Sequence, residues 1–154
     1  MEFAGLTGRE TVIDAYCGIG TIGMIAAKTA GQVLGVEVNR DAVRDAIANA
    51  KLNNMKNIRF ICADAGEFMV DMAQNGEHCD VLLMDPPRAG SDRAFLSSAV
   101  TLAPKRIVYV SCNPETLARD LHFLTKRGYR VEKIQPVDMF PHTNHVECIT
   151  LMEC

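Results

Sequence analysis

Cys112 is the residue in this chain whose surroundings best suit a nucleophile. It lies in Ser111-Cys112-Asn113-Pro114, after a run, Lys105–Val110, that reads as a buried strand. Asn113 and Pro114 read as the N-cap and first residue of a helix running from Pro114 to about Lys126. The thiol is therefore expected at the carboxyl end of a strand, just ahead of a helix N-terminus. In an open α/β sheet that edge is where ligands bind. The helix dipole and free N–H groups there favour an anion, hence thiolate over thiol. The usual fate of a free cysteine is a small buried core residue, and position alone leaves both readings open.

A second group of residues is suited to holding a nucleoside. Asp14-Ala15-Tyr16-Cys17-Gly18-Ile19-Gly20-Thr21-Ile22-Gly23 closes a strand and opens a helix. Its G-x-G-x-x-G spacing lets backbone approach a ligand closely, although some plain tight turns share it. Glu37 ends the next strand, where a carboxylate can accept both hydroxyls of an adenosine ribose or cap the following helix. Asp64, after the third strand, is placed to meet an adenine amino group or to cap a helix. His142, His145 and Glu147 contain metal-ligand types. Their H-x-x-H spacing is not a helical i, i+4 pair, and a polar turn with exposed imidazoles is the expected reading, with no metal site. Cys17 is expected to pack beneath the glycine loop, and Cys62, Cys79, Cys148 and Cys154 to be core or incidental.

These residues are positioned by alternating strands and helices. The pattern predicts strands at Thr11–Tyr16, Val33–Val38, Ile58–Cys62, Asp80–Met84, Lys105–Val110, Tyr129–Asp138 and Val146–Met152. Helices are expected at Thr21–Thr29, after Asn39, at about Gly66–Ala73, near Arg93–Leu102 and from Pro114. The helix after Asn39 carries an apolar stripe of Ala42, Val43, Ala46, Ile47 and Ala50. The link from Met139 to His145 is short enough to make the last two strands an antiparallel hairpin. A doubly wound α/β sheet follows, helices on both faces and the last strand antiparallel.

At 154 residues the chain is read as one domain, 1–154, long enough to bury such a sheet. No apolar run approaches the roughly 18–20 residues of a membrane span. Six scattered cysteines form no C-x-x-C pair, which argues against zinc or iron–sulfur ligation. With no secretory leader, reduced thiols and a cytoplasmic location are expected. A net charge of −3 gives no overall basic surface, yet Lys105, Arg106, Arg119, Lys126, Arg127 and Arg130 form a local excess.

The alternation resembles the class I methyltransferase fold, a Rossmann-like sheet whose strand order is three-two-one-four-five-seven-six. Asp85-Pro86-Pro87-Arg88 forms a rigid loop after strand four and resembles the fourth motif of methyltransferases. Together with Asp64 it favours S-adenosylmethionine over NAD as cofactor. In the borrowed order the ends of strands one, four and five share a rim, bringing Gly18, Gly20, Asp85 and Cys112 together. Strand seven runs against strand five, so Glu147 at its start is expected beside Cys112. These groups suit methylation of a pyrimidine carbon. A thiolate adds to carbon 6 of uracil and makes carbon 5 nucleophilic. A base then removes the carbon-5 proton so that the cysteine can leave. Asp85 would hold the base edge or orient the cofactor.

Four motifs in order, Asp14–Gly20, Asp85–Gly90, Ser111–Pro114 and His142–Glu147, resemble the RNA (uracil-5-)-methyltransferase family, and within it bacterial enzymes acting on 23S ribosomal RNA. The resemblance implies Cys112 as nucleophile and Glu147 as proton acceptor. Tyr16, Gly18, Gly20, Thr21, Glu37, Asp64 and Asp85 would line the S-adenosylmethionine site. The implied partner is RNA, 23S ribosomal RNA first and transfer RNA second, with no DNA or membrane partner. RNA 5-methylcytosine enzymes carry a cysteine in the strand-four motif, and amino-group methyltransferases end it in an aromatic residue; here it reads Asp-Pro-Pro-Arg. Family members normally carry an upstream RNA-binding β-barrel and a central domain, many with an iron–sulfur cluster. Those parts, and a cofactor-contacting glutamine, are expected to lie outside this chain.

Overall fold

The computed structural model describes residues 1–143 and 145–154. Its strands are β1 (Thr11–Ala15), β2 (Gln32–Glu37), β3 (Ile58–Cys62), β4 (Val81–Met84), β5 (Arg106–Ser111), β6 (Arg130–Val137) and β7 (Glu147–Glu153). They form one seven-stranded sheet in the order β3-β2-β1-β4-β5-β7-β6. Neighbours from β3 to β5 are parallel, and β7 is antiparallel to both β5 and β6. The observed order is the one the class I resemblance implies.

Helices α1 (Thr21–Ala27) and α2 (Arg40–Leu52) cover one face, packing small residues such as Ala26, Ala27 and Ala50 against Val12, Val33 and Leu83. Helices α3 (Ala65–Gln74), α4 (Arg93–Leu102) and α5 (Pro114–Thr125) cover the other, through Met69, Phe95, Leu121 and their neighbours. All four residues of β4 are buried, as expected of a parallel strand covered on both sides. Outermost β6 is exposed along nearly its whole length and carries Pro136, a residue that sheet edges tolerate. Among the described residues no helix is long and apolar enough to cross a membrane.

Boundaries differ from the sequence reading where side chains cap. The Asn39 side chain accepts from the N–H groups of Asp41 and Ala42 and starts α2 as expected. Ile47, counted in its apolar stripe, is exposed instead, lying beside edge strand β3 with Met55 and Phe60. Asp80 precedes β4 because its carboxylate accepts the Thr11 N–H at 2.9 Å. The first strand ends at Ala15 because Tyr16 turns out of it with φ of +62°, a left-handed conformation that costs a non-glycine residue about 1–2 kcal/mol.

A buried carboxylate ties the α5 face together. Asp120, fully buried on α5, accepts the Tyr109 hydroxyl at 2.7 Å and the Ser91 N–H at 2.9 Å. Arg119 donates through Nε at 2.8 Å. One side chain thus joins β5, α5 and the loop after β4. Replacing Asp120 with Ala would leave the Tyr109 hydroxyl and the Ser91 N–H unpaired inside the core. Urea unfolding should show a loss of about 2–4 kcal/mol. Asp120→Asn should lose less, because an amide oxygen in the place of Oδ2 still accepts both the Tyr109 hydroxyl and the Ser91 N–H.

Candidate active site

The carboxyl ends of β1, β2 and β4 enclose a cleft of about 420 Å³ lined by Tyr16, Glu37, Val38, Asp64, Asp85 and Pro87, among others. Glu37 is held on both oxygens: Oε2 accepts the Gly18 N–H at 3.0 Å and Oε1 the Asn39 N–H at 2.8 Å. Each oxygen keeps a lone pair, so the carboxylate remains able to accept two hydroxyls. The glycines divide their labour. Gly18 sits at φ of +54°, and a Cβ there would meet nothing within 4 Å, so its open side faces free space. At Gly20 a Cβ would come within 2.6 Å of the Phe60 ring, so this glycine lets helix and strand approach. Gly20 donates its own N–H to the Cys17 carbonyl.

Asp64 caps α3, accepting the Glu67 N–H at 3.0 Å through Oδ1, which is the capping alternative weighed from the sequence. It lines the cleft as well. Tyr16 packs its ring against Phe95, centroids 5.2 Å apart, and donates its hydroxyl to Ser91 Oγ at 3.4 Å. Thr21 is exposed as the first residue of α1 and is not among the residues lining the cleft. Sequence reasoning missed Val38, Ala65 and Pro87 as lining residues. All three lie just beyond the ends of β2, β3 and β4, a positional signal that could have found them. Val38 is 66 % exposed, an apolar surface suited to the face of a planar base. These residues fit an adenosine: a carboxylate for its hydroxyls, open backbone at Gly18 and an apolar wall.

Cys112 follows β5 directly and is half-buried. The β5–β7 pairing ends at Ser111 and Cys148, so Cys112, one residue past that pair, and Glu147, the first residue of β7, lie at the same end of the sheet. Asp85, just past β4, has its carboxyl raised above its ordinary range by burial and then by the Glu147 charge. Glu147 is thus close enough to act on Asp85, and Cys112 stands at the same end of the sheet.

The two loops carrying Asp85 and Cys112 are cross-linked. Asn113 Nδ2 and Thr116 Oγ1 both donate to the Arg88 carbonyl at 3.2 Å. Arg119 Nη2 donates to the carbonyls of Ala89 and Ser91. Cys17 is buried, and burial pushes its thiol up to about 12, which fits a packing role. His142 and His145 are exposed in the β6–β7 link, and Asn144 of that motif lies outside the described residues. Among the described residues no group of three metal-ligand side chains gathers to hold an ion.

The profile of the tRNA (uracil-5-)-methyltransferase family matches residues 4–154. An uncharacterized RNA methyltransferase of Enterococcus faecalis is 52% identical over 151 residues, 98% of this chain and 33% of that protein. One from Bacillus cereus is 51% identical over 152 residues, 99% of this chain and 33% of that protein. The crystal structure of the Pyrococcus abyssi tRNA (uracil-54, C5)-methyltransferase in complex with S-adenosyl-L-homocysteine superimposes with a TM-score of 0.83. It is 37% identical and covers 98% of this chain and 36% of its own. The chain therefore spans about a third of the length of the relatives it matches.

Asp14 beneath the glycine loop gives the site a pH signature. Its carboxylate is buried and accepts the Gly23 N–H at 2.7 Å. Burial, with a further push from Asp85, raises it from the ordinary 3.8 to about 7 despite the opposing effect of that hydrogen bond. Because the folded state holds this proton more tightly, its contribution is complete below the unfolded value of 3.8 and is lost as pH rises through about 7. Asp14→Asn removes the titration. In urea unfolding its stability relative to wild type should rise by about 2–3 kcal/mol between roughly pH 5 and pH 8.

Proposed function

The chain belongs to the tRNA (uracil-5-)-methyltransferase family, and on that premise we propose that it methylates carbon 5 of a uridine in RNA. The observation that carries the proposal is that the β5–β7 pairing brings the residues next to Cys112 and Glu147 together at the sheet end where Asp85 lines the cleft and feels the Glu147 charge. S-adenosylmethionine is the cofactor, held by Glu37 on its ribose, Gly18 along its backbone side, and Tyr16, Val38 and Asp64 around its adenosine. When bound it supplies an electrophilic methyl group on a sulfonium. The Pyrococcus abyssi enzyme was crystallised with S-adenosyl-L-homocysteine, the demethylated form of this cofactor, which supports the assignment.

Cys112 adds as thiolate to carbon 6 of the uracil, converting the ring to an enolate nucleophilic at carbon 5. The loop cross-links through Asn113, Thr116 and Arg119 keep Cys112 and Asp85 in fixed relation, so attack and alignment need no reordering of the rim. Asp85 holds the base edge. With its carboxyl raised, it is better able than an ordinary aspartate to present a proton there. Glu147 takes the carbon-5 proton after methylation, and the Cys112–carbon 6 bond then breaks to restore the aromatic ring. The four sequence motifs favour 23S ribosomal RNA as substrate. The family description and the Pyrococcus abyssi likeness support transfer RNA as the second reading.

Both RNAs can be tried in one experiment, using fragments that carry 5-fluorouridine, whose fluorine cannot be removed as a proton. Intact mass should show a covalent adduct with the substrate RNA that is absent from Cys112→Ala. With ordinary uridine, Glu147→Gln should accumulate the adduct and lower turnover by about 10²–10⁴-fold. Methylation by Cys112→Ala would overturn the mechanism.

A further inference from the structure

The fold sorts the basic residues of the second half of the chain. Arg106 is tied to Glu153 and to the carbonyls of Ala4 and Gly5, at the sheet edge away from the rim. Lys105 lies 3.8 Å from Asp80, and Arg130 3.4 Å from Glu132. Arg119 is bound to buried Asp120. Among the described residues, Lys126, Arg127 and α4's Arg93 pair with no carboxylate within 4 Å, and all three line one groove of about 460 Å³ between α4 and α5.

That groove starts at Ser91, in the loop cross-linked to the Cys112 turn, and runs along α5 past Phe123 to Arg127. The Arg127 guanidinium lies 3.5 Å from the Phe123 ring centroid and the Arg93 guanidinium 5.6 Å from it. Stacking on an aromatic ring fixes a guanidinium while leaving in-plane N–H donors for phosphate oxygens. Of the groove's two carboxylates, Asp120 is buried in its network, and exposed Asp92 caps α4, where the helix N-terminus offsets part of its charge. On a chain of net charge −3, a strip of unpaired cations beside a stacked aromatic is a local positive field. The span from Pro114 to Lys126 is about 20 Å at helical rise, a distance a few nucleotides can bridge.

Resting on the RNA methyltransferase reading, we propose that the α4–α5 groove carries the phosphodiester backbone of the single-stranded RNA flanking the target uridine. Arg93 and Lys126 grip phosphates from opposite walls, and Arg127 is held on Phe123 for the same purpose. The groove steers a strand toward Cys112 through charge and is indifferent to sequence.

The test is fluorescence anisotropy of a short labelled single-stranded RNA across a salt series. The variants are Arg93→Glu with Lys126→Glu, and the same reversal at Lys28 and Lys51 on the α1–α2 face. The groove pair should weaken binding by about tenfold or more at low salt and reduce the logarithmic salt slope by about 0.7 per lost phosphate contact. The control pair should change affinity less than about twofold. If charge reversal disturbs folding, Arg93→Gln with Lys126→Gln should give a smaller loss with the same reduction in slope. Equal losses in both pairs, no loss in the groove pair, or no RNA binding by the unmodified chain would overturn the groove assignment. Calorimetry with S-adenosylhomocysteine on the same samples separates the two ideas: retained cofactor binding leaves the methyltransferase reading standing when the groove fails.

Discussion

The antiparallel pairing of β7 with β5 is the constraint on which the site depends. Six parallel strands and their helices would build a nucleoside cleft without it, but the rim beside β5 would then hold a thiol and no base. Inserting β7 between β5 and β6 returns the chain to the same rim from the other direction and delivers Glu147 there. Register makes the delivery specific. Cys148 and Met152 are buried on the α5 face, while Ile149 and Leu151 pack on the other, so a slip of one residue would send each set to the wrong core face along the strand. The apolar pattern of β7 thereby fixes where a carboxylate stands relative to a thiol.

Much of this was legible in the chain before its coordinates. Strands and helices announced themselves through short apolar runs, Asn39 and Asn113 at helix starts and the Pro114 that follows. The carboxyl-edge location of Cys112 followed from those signals alone. The expectation that Glu147 lies beside Cys112 did not, since strand order is a global property; it came from the class I resemblance, whose strand order the sheet has. Asp120 was illegible for a related reason. Beside Arg119 on an amphipathic helix it reads as a solvated charge, and only packing shows Tyr109 and Ser91 converging on it. Likewise the glycine spacing suggested ligand approach at every position, whereas Gly20 answers to Phe60, a residue 40 positions away.

Charge offers the same lesson in another form. Composition reports a mildly acidic chain, and a window along it reports a basic cluster. Neither says which cations are already satisfied. Pairing consumes Arg106, Arg119 and Arg130, and the α4 contribution of Arg93 comes from a segment that no window would join to Lys126. Surface potential is a property of folded neighbours, and a sequence tally bounds it loosely.

Asp85 stands at a seam. On one side, the ends of β1 and β2 with Tyr16 and Glu37 shape the nucleoside cleft, which Asp85 lines; on the other, β5 and β7 carry the thiol and the carboxylate whose charge Asp85 feels. The halves also meet where Tyr16 reaches Ser91 and Phe95, so inherited change in one half need not disturb the other where it spares these contacts. Remodelling the loops after β4 and β5 could redirect which acceptor is recognised while the cofactor half drifts neutrally. A protein divided this way can diversify by descent one half at a time, with Asp85 the position where the two histories must agree.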